Sequence, residues 1–164
     1  MLEASNTKYV FVSWILLEEE LIMVKMVFMF NSSTSLFRGG LLNLNHCTAA
    51  SLQLEHDILR LDLDMIFVTE PYVAEGHVAG VTSLSNVYEE GSPRAPIILK
   101  RHFNFVPILI SKDIVEINVN VYNVNIICIC VYCPPKEPLL PVLEALSKII
   151  QMHPNEVNQE KSMS

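Results

Sequence analysis

Basic charge is scarce in this sequence. Eleven Lys and Arg stand against 18 Asp and Glu in 164 residues, a formal net charge of −7. A surface built to hold nucleic-acid phosphates is normally basic, so composition argues against tight phosphate binding. Cysteines are few and not spaced as a disulfide framework. There are four, and Cys128, Cys130 and Cys133 fall within one apolar run. That argues against a small secreted scaffold and reads as an intracellular chain with reduced thiols. No uninterrupted run of about 20 apolar residues is present, the length a membrane span needs. The apolar stretches 9–17 and 21–30 are divided by Glu18, Glu19 and Glu20. Each acid at mid-bilayer costs about 2.5–3.5 kcal/mol, so no membrane association is expected. The same triplet stands where a signal peptide needs a small-residue cleavage site. There is no glycine-rich phosphate loop, which removes the common nucleotide-binding motifs.

What is present is a core-rich chain of one-domain length, 51% hydrophobic and 18% charged. Residues 1–38 read as an unassigned extension with helical leanings, and residues 39–153 as the domain. Leu41, Leu42 and Leu44 predict a short strand ending at Asn45. Thr48 is a candidate cap for a helix running to Arg60 on a stripe of Ala49, Ala50, Leu52, Leu54, Ile58 and Leu59. The run 65–68 predicts a buried strand, stopped by Thr69, Glu70 and Pro71. Residues 73–92 read as loop with one weak strand at 78–84; short strands follow at 97–99 and 105–110.

Residues 114–121 alternate, with Ile117, Val119 and Val121 on one side and Glu116, Asn118 and Asn120 on the other. That is a half-exposed antiparallel strand. The run 126–132 is apolar throughout, so it is a strand buried on both faces, ended by Pro134 and Pro135. Pro141 opens a helix that reaches about Met152, and His153 and Pro154 stop it. The tail 154–164 is polar and expected to be disordered.

Three polar residues fall at ends of buried strands: Asn45, Glu70 and Tyr132. Strand ends deliver side chains rigidly to the rim of an α/β sheet, where functional groups collect. A glutamate there suits a hard divalent cation such as Mg²⁺, and an asparagine can orient a ligand or water. The plain alternative is a turn asparagine, a solvated acid and a core tyrosine with a satisfied hydroxyl. Other groupings are poorer. Strand alternation puts Cys128 and Cys130 on one face and Cys133 on the other, against a zinc site. Cys47 and His46 diverge at a corner, His56 reads as solvated, and His77 and His102 have no evident partner. Arg94, Lys100 and Arg101 form a small basic patch that reads as a solvated edge.

The wording around the three residues adds to this. The string Leu42-Asn43-Leu44-Asn45-His46-Cys47-Thr48-Ala49-Ala50 resembles the opening of the endonuclease domain of arthropod-type non-LTR retrotransposons. Asp64-Met65-Ile66-Phe67-Val68-Thr69-Glu70-Pro71-Tyr72 is similar to that family's second strand. Ile129-Cys130-Val131-Tyr132-Cys133-Pro134-Pro135 is similar to a later strand end. Order and spacing agree from Leu41 to Met152. The resemblance implies an α/β (α+β) fold of the endonuclease/exonuclease/phosphatase or DNase I-like type, a four-layer α/β sandwich with a mixed, largely antiparallel sheet. It implies Mg²⁺-dependent cleavage of DNA, acting in the nucleus. By position, Glu70 is the implied metal ligand, Asn45 supports the metal site and Tyr132 positions the scissile phosphate.

The departures count too. The family's Asp-x-Asn and Ser-Asp-His motifs, which bring the base, a further ligand and the phosphate-neutralising histidine, are absent. The last aspartate is Asp113, and after it the only histidine is His153. The expectation is a truncated, N-terminal part of the domain, inactive alone, with weak or no Mg²⁺ binding. It is expected to leave one inner sheet face uncovered, which favours self-association. The alternatives are a non-catalytic remnant that pairs its exposed sheet with a partner, and a phosphodiesterase completed by a second chain.

Overall fold

A computed structural model describes residues 9–16, 26–32 and 35–153. The acidic triplet and the tail 154–164 lie outside the described residues. Strands β1 (Tyr9–Leu16), β2 (Met26–Ser32) and β3 (Ser35–Asn43) come first, then helix α1 (Thr48–Arg60) and β4 (Met65–Thr69). Short strands β5 (Val73–Ala74), β6 (His77–Val78), β7 (Ser85–Val87) and β8 (Ile97–Leu99) follow. The rest is β9 (Asn104–Ile110), β10 (Ile114–Val121), β11 (Val124–Cys133) and helix α2 (Leu139–Met152).

The strands form two main sheets, ordered β1-β11-β10-β9 and β2-β3-β4-β8-β7, with β5 and β6 as a separate ribbon. Most pairs are antiparallel; β1 with β11 and β3 with β4 are parallel. Strand periodicity decides what each face meets. From β11, Ile126, Cys128, Cys130 and Tyr132 point to the second sheet and join Phe37, Phe67, Ile97 and Ile117 in the inter-sheet core. The alternate residues Ile127, Ile129 and Val131 pack under Leu146 and Ile149 of α2. Across the other sheet, Ile66, Val68 and Ile98 pack under Leu54 and Ile58 of α1. The layer order is therefore α1, sheet, sheet, α2. Each such buried aliphatic side chain contributes roughly 1.5–3 kcal/mol.

Among the described residues the inner faces of β3, β4, β8, β10 and β11 cover each other. Among those strands and β9, the uncovered inner face expected from the missing motifs is confined to the β9 side of its sheet. What the fold exposes there is an edge: β9 carries Val106 at 65% and Ile108 at 46% exposure.

Several expectations change. The first thirty residues form strands rather than a helix where they are described, and β3 spans the boundary drawn at residues 38 and 39. An edge strand reads poorly because its partner is remote: Tyr9 pairs with Ile126. In α1 the buried residues are Ser51, Leu54 and Ile58, while Leu52 and Leu59 are exposed. Cys47 holds the cap position with no side-chain hydrogen bond, and Thr48 is already helical. The weak strand at 78–84 is replaced by β5, β6 and β7. The polar side of β10 is open only toward its end: Asn120 is exposed and Asn118 half-buried, but Glu116 is buried and its carboxylate meets His153 Nε2 at 2.7 Å.

The segment after β4 is fastened to α1. The Tyr72 N–H donates to Ser51 Oγ at 3.0 Å. Gly80, at φ +79°, lies so near the α1 backbone that a Cβ there would collide with the Ser51 carbonyl, which only glycine avoids. Among the described residues no helix is long and apolar enough to cross a membrane.

Candidate active site at the strand ends

Parallel pairing brings the ends of β3 and β4 to one rim, with Asn43 opposite Thr69 as the last register pair. Beyond it two bonds clamp the departing chains: Leu44 N–H to Thr69 O at 2.9 Å and His46 N–H to Glu70 O at 2.8 Å. The clamp forces the backbone into the left-handed region at Asn45 (φ 45°), His46 (φ 53°) and Glu70 (φ 49°). Asparagine tolerates that region; for ordinary L-residues it costs about 1–2 kcal/mol each. Strain of this kind collects at functional sites.

Glu70 is the centre. Its Oε2 accepts a bond from Asn43 Nδ2 at 3.0 Å, and its Oε1 accepts one from the Tyr132 hydroxyl. His46 Nε2 stands 3.6 Å from Oε1. The Glu70 side chain is only 13% exposed. Tyr132 arrives from the other sheet on β11, its N–H bonded to Asp113 O at 2.9 Å. Burial, and then the Glu70 bond, push the Tyr132 phenol well above its ordinary range, so it stays a neutral donor.

Glu70 and Tyr132 therefore meet, as neighbours in space from two sheets. Asn45 does not join them. Its side chain is exposed, and only its N–H takes part, donating to Asn43 Oδ1 at 2.7 Å. Asn43, buried, bonds Glu70 instead. The strand starts at Ser35 and ends two residues earlier than the leucines suggest, which exchanges the asparagine facing the rim. The signal for Asn43 was its place between Leu42 and Leu44, a polar residue in an apolar strand.

Arg94 adjoins this group. Its Nε and Nη2 bond the two carboxylate oxygens of Asp113 at 2.5 and 2.7 Å, and its Nη1 bonds Glu137 at 2.8 Å. These partners, Asp113 foremost, hold its guanidinium more strongly protonated than usual. Arg94 Cζ lies 5.7 Å from the centre of the Tyr132 ring, and the Arg94 carbonyl accepts the Glu70 N–H at 3.0 Å. A surface cavity of about 320 Å³ opens beside it, lined by His46, Tyr72, Ser92, Arg94 and Lys112 among others. The basic patch read in the sequence is thus divided. Lys100 bonds Asp62 and Asp64, and Arg101 bonds the Thr82 carbonyl.

The other candidates fall elsewhere. Cys128 and Cys130 lie in the inter-sheet core, and burial pushes the Cys128 thiol upward, away from a reactive thiolate. Cys133 sits on the opposite face of β11. His56 pairs with Gln53, His77 with the Tyr88 hydroxyl, and the His102 ring lies 4.0 Å from that of Phe103.

No family model matches the sequence, and no curated protein does. Among solved structures the chain is similar to the endonuclease domain of TRAS1, a telomere-specific non-LTR retrotransposon, at 18% identity with a TM-score of 0.61. The match covers 71% of this chain and 53% of that one, so the chain spans about half the length of the structure it resembles. The fold is a partial DNase I-like fold. The sequence resemblance is borne out at that level, and the mixed α+β architecture with it.

In this partial DNase I-like frame, the rim offers hard oxygen donors of the kind Mg²⁺ takes. Each Glu70 oxygen already accepts one bond and keeps a second lone pair. The buried Thr69 Oγ1, in register with Asn43, has no hydrogen-bond partner among the described residues. No group of three or more His, Cys, Asp or Glu converges as a metal cage among those residues. A hydrated Mg²⁺ would find one charged donor here, the Glu70 carboxylate, which suits an ion that keeps most of its waters. The donor set does not fit a closed site.

Proposed function

We propose that this rim is the metal-binding part of a Mg²⁺-dependent DNA endonuclease site of the non-LTR retrotransposon type, and that these 164 residues alone do not cleave. The observation that carries the reading is the Glu70 carboxylate, fixed by Asn43 and Tyr132 at a rim shared by both sheets. Glu70 is the metal ligand. Asn43 positions it, and Asn45 holds Asn43 through its own N–H. Tyr132 offers a neutral hydroxyl to a phosphate oxygen. Mg²⁺, when bound, polarises the phosphate and stabilises the leaving oxygen. Activation of water needs a base, and the sequence carries neither an Asp-x-Asn nor a Ser-Asp-His motif to supply one.

Mn²⁺, as a paramagnetic probe, tests the ligand set. Broadening of amide resonances is expected around residues 43, 70 and 132, and is expected to vanish in Glu70→Gln. Broadening centred elsewhere overturns the assignment. Plasmid nicking in Mg²⁺ is expected to be absent; nicking that Glu70→Ala abolishes would show the chain to be active alone.

A non-catalytic interaction remnant is the second reading, favoured by the exposed apolar edge strand β9, since edges of this kind template pairing with another strand. Light scattering is expected to show a concentration-dependent dimer that Val106→Lys returns to monomer. A monomer at every concentration removes that reading.

A further inference from the structure

Arg94 is held by two acids of different standing. Asp113 is 25% exposed and grips one edge of the guanidinium through Nε and Nη2. Glu137 is 52% exposed and takes the other edge, at 2.8 Å from Nη1 and 3.2 Å from Nη2. Asp113 is a tether between β9 and β10. Glu137 stands on the turn between β11 and α2, and its two-oxygen grip on the fork is the geometry with which a phosphate also binds arginine. Lys112 lines the same cavity as Arg94 and is exposed, as is His46 on another wall. The Tyr132 ring lies against Arg94 while its hydroxyl bonds Glu70, so an anion taking the place of Glu137 on the outer edge of Arg94 would sit one side chain away from the proposed metal ligand.

We propose that the outer edge of Arg94, with Lys112 and His46, is a seat for a nucleic-acid phosphodiester, and that Glu137 is an internal anion that holds the seat until phosphate displaces it. The exchange replaces one negative charge with another, so Arg94 stays neutralised throughout. It also accounts for an acidic chain with a nucleic-acid site: the cations at the rim are masked by an acid of the chain itself. Arg94 and Lys112 together hold the Glu137 carboxyl below its ordinary range, Arg94 foremost, so the stand-in is anionic at neutral pH. The inference rests on the reading of the rim as a nucleic-acid site, and its test needs neither metal nor cleavage.

Binding of a short fluorescent thymidine oligonucleotide to the full chain is measured in EDTA by anisotropy, with inorganic phosphate as competitor. Glu137→Gln is expected to tighten oligonucleotide binding about fivefold. Glu144→Gln removes the same charge from an exposed site on α2 and is expected to change affinity less than about twofold. Lys112→Gln added to Glu137→Gln is expected to reverse the gain. Equal effects of Glu137→Gln and Glu144→Gln overturn the proposal, as does a gain that survives Lys112→Gln. Tightening toward inorganic phosphate without tightening toward the oligonucleotide overturns the nucleic-acid assignment. Because metal is absent, these failures leave the Glu70 ligand untouched, and loss of Mn²⁺ broadening leaves the seat untouched.

Discussion

Arg94 and Lys100 flank the three-residue strand β8, one at each end, and their side chains are similarly shielded at 17% and 20% exposure. Each holds two carboxylates. At the Lys100 end the acids are Asp62 and Asp64, two residues apart, and both have second donors: Arg38 Nη1 reaches Asp62 at 3.1 Å and the Arg38 N–H reaches Asp64 at 2.9 Å. At the Arg94 end the acids come from distant parts of the chain, Asp113 and Glu137, and Arg94 binds both oxygens of Asp113. The first node is redundant and ties a turn to a strand. The second depends on one guanidinium and lies beside Tyr132, Glu70 and the cavity. With equal shielding, it is the neighbours that separate a fastening from a site.

The sharpest break of that symmetry is Arg94→Lys. It keeps the charge and loses the fork, leaving Asp113 half-satisfied; a stability loss of about 2 kcal/mol is expected in urea denaturation. Should the loss stay under about 0.5 kcal/mol, the two nodes are equivalent after all.

Tyr132→Phe is next. It removes a hydroxyl bonded to a carboxylate, worth about 1.5 kcal/mol at neutral pH. The phenol's folded-state pKa is raised from its ordinary 10.0, by burial first and then by Glu70. Its contribution is therefore complete below pH 10 and is lost as pH rises above that, because the unfolded chain can release the proton while the folded chain cannot. Stability measured against pH is expected to fall more steeply on the alkaline side in the parent chain than in Tyr132→Phe. Parallel curves would show that Glu70 and Tyr132 are uncoupled.

Lys100→Arg has the smallest expected effect, within about 0.5 kcal/mol by the same denaturation, since Arg38 still serves both acids. A loss as large as that of Arg94→Lys would place the site's dependence on geometry at both ends of β8.

Much of the frame is legible in the sequence because apolar runs and alternation report burial. The limits of β8 and β10 follow from them, and the position of Glu70 at the end of β4 follows from Pro71. The first strand is not legible, because β1 pairs with β11, a partner the local sequence does not contain. Strand β2 pairs with the adjacent β3, but residues 1–38 read as an extension with neither turn signal nor alternation. At the rim, Glu70 and Tyr132 can be read as strand-end residues, but their contact cannot, since 62 positions separate them. Asn43 is hidden by uncertainty of where β3 ends; a shift of two residues keeps the face and changes which asparagine is inside. Arg94 looks like a member of one patch with Lys100 and Arg101. An intervening strand, extended at about 3.3 Å per residue, carries it to the other end of the sheet.

The parallel pairing of β1 with β11 has a consequence for how the chain comes together. Residues 9–16 are made early, yet their partner at 124–133 leaves the ribosome more than a hundred residues later. The unit of β3, α1 and β4 can close over short sequence distances while that first segment waits with an unpaired apolar strand. Contacts of such long range are slow to form, and the waiting strand is the part of the nascent chain most open to chaperone binding or to capture by another copy.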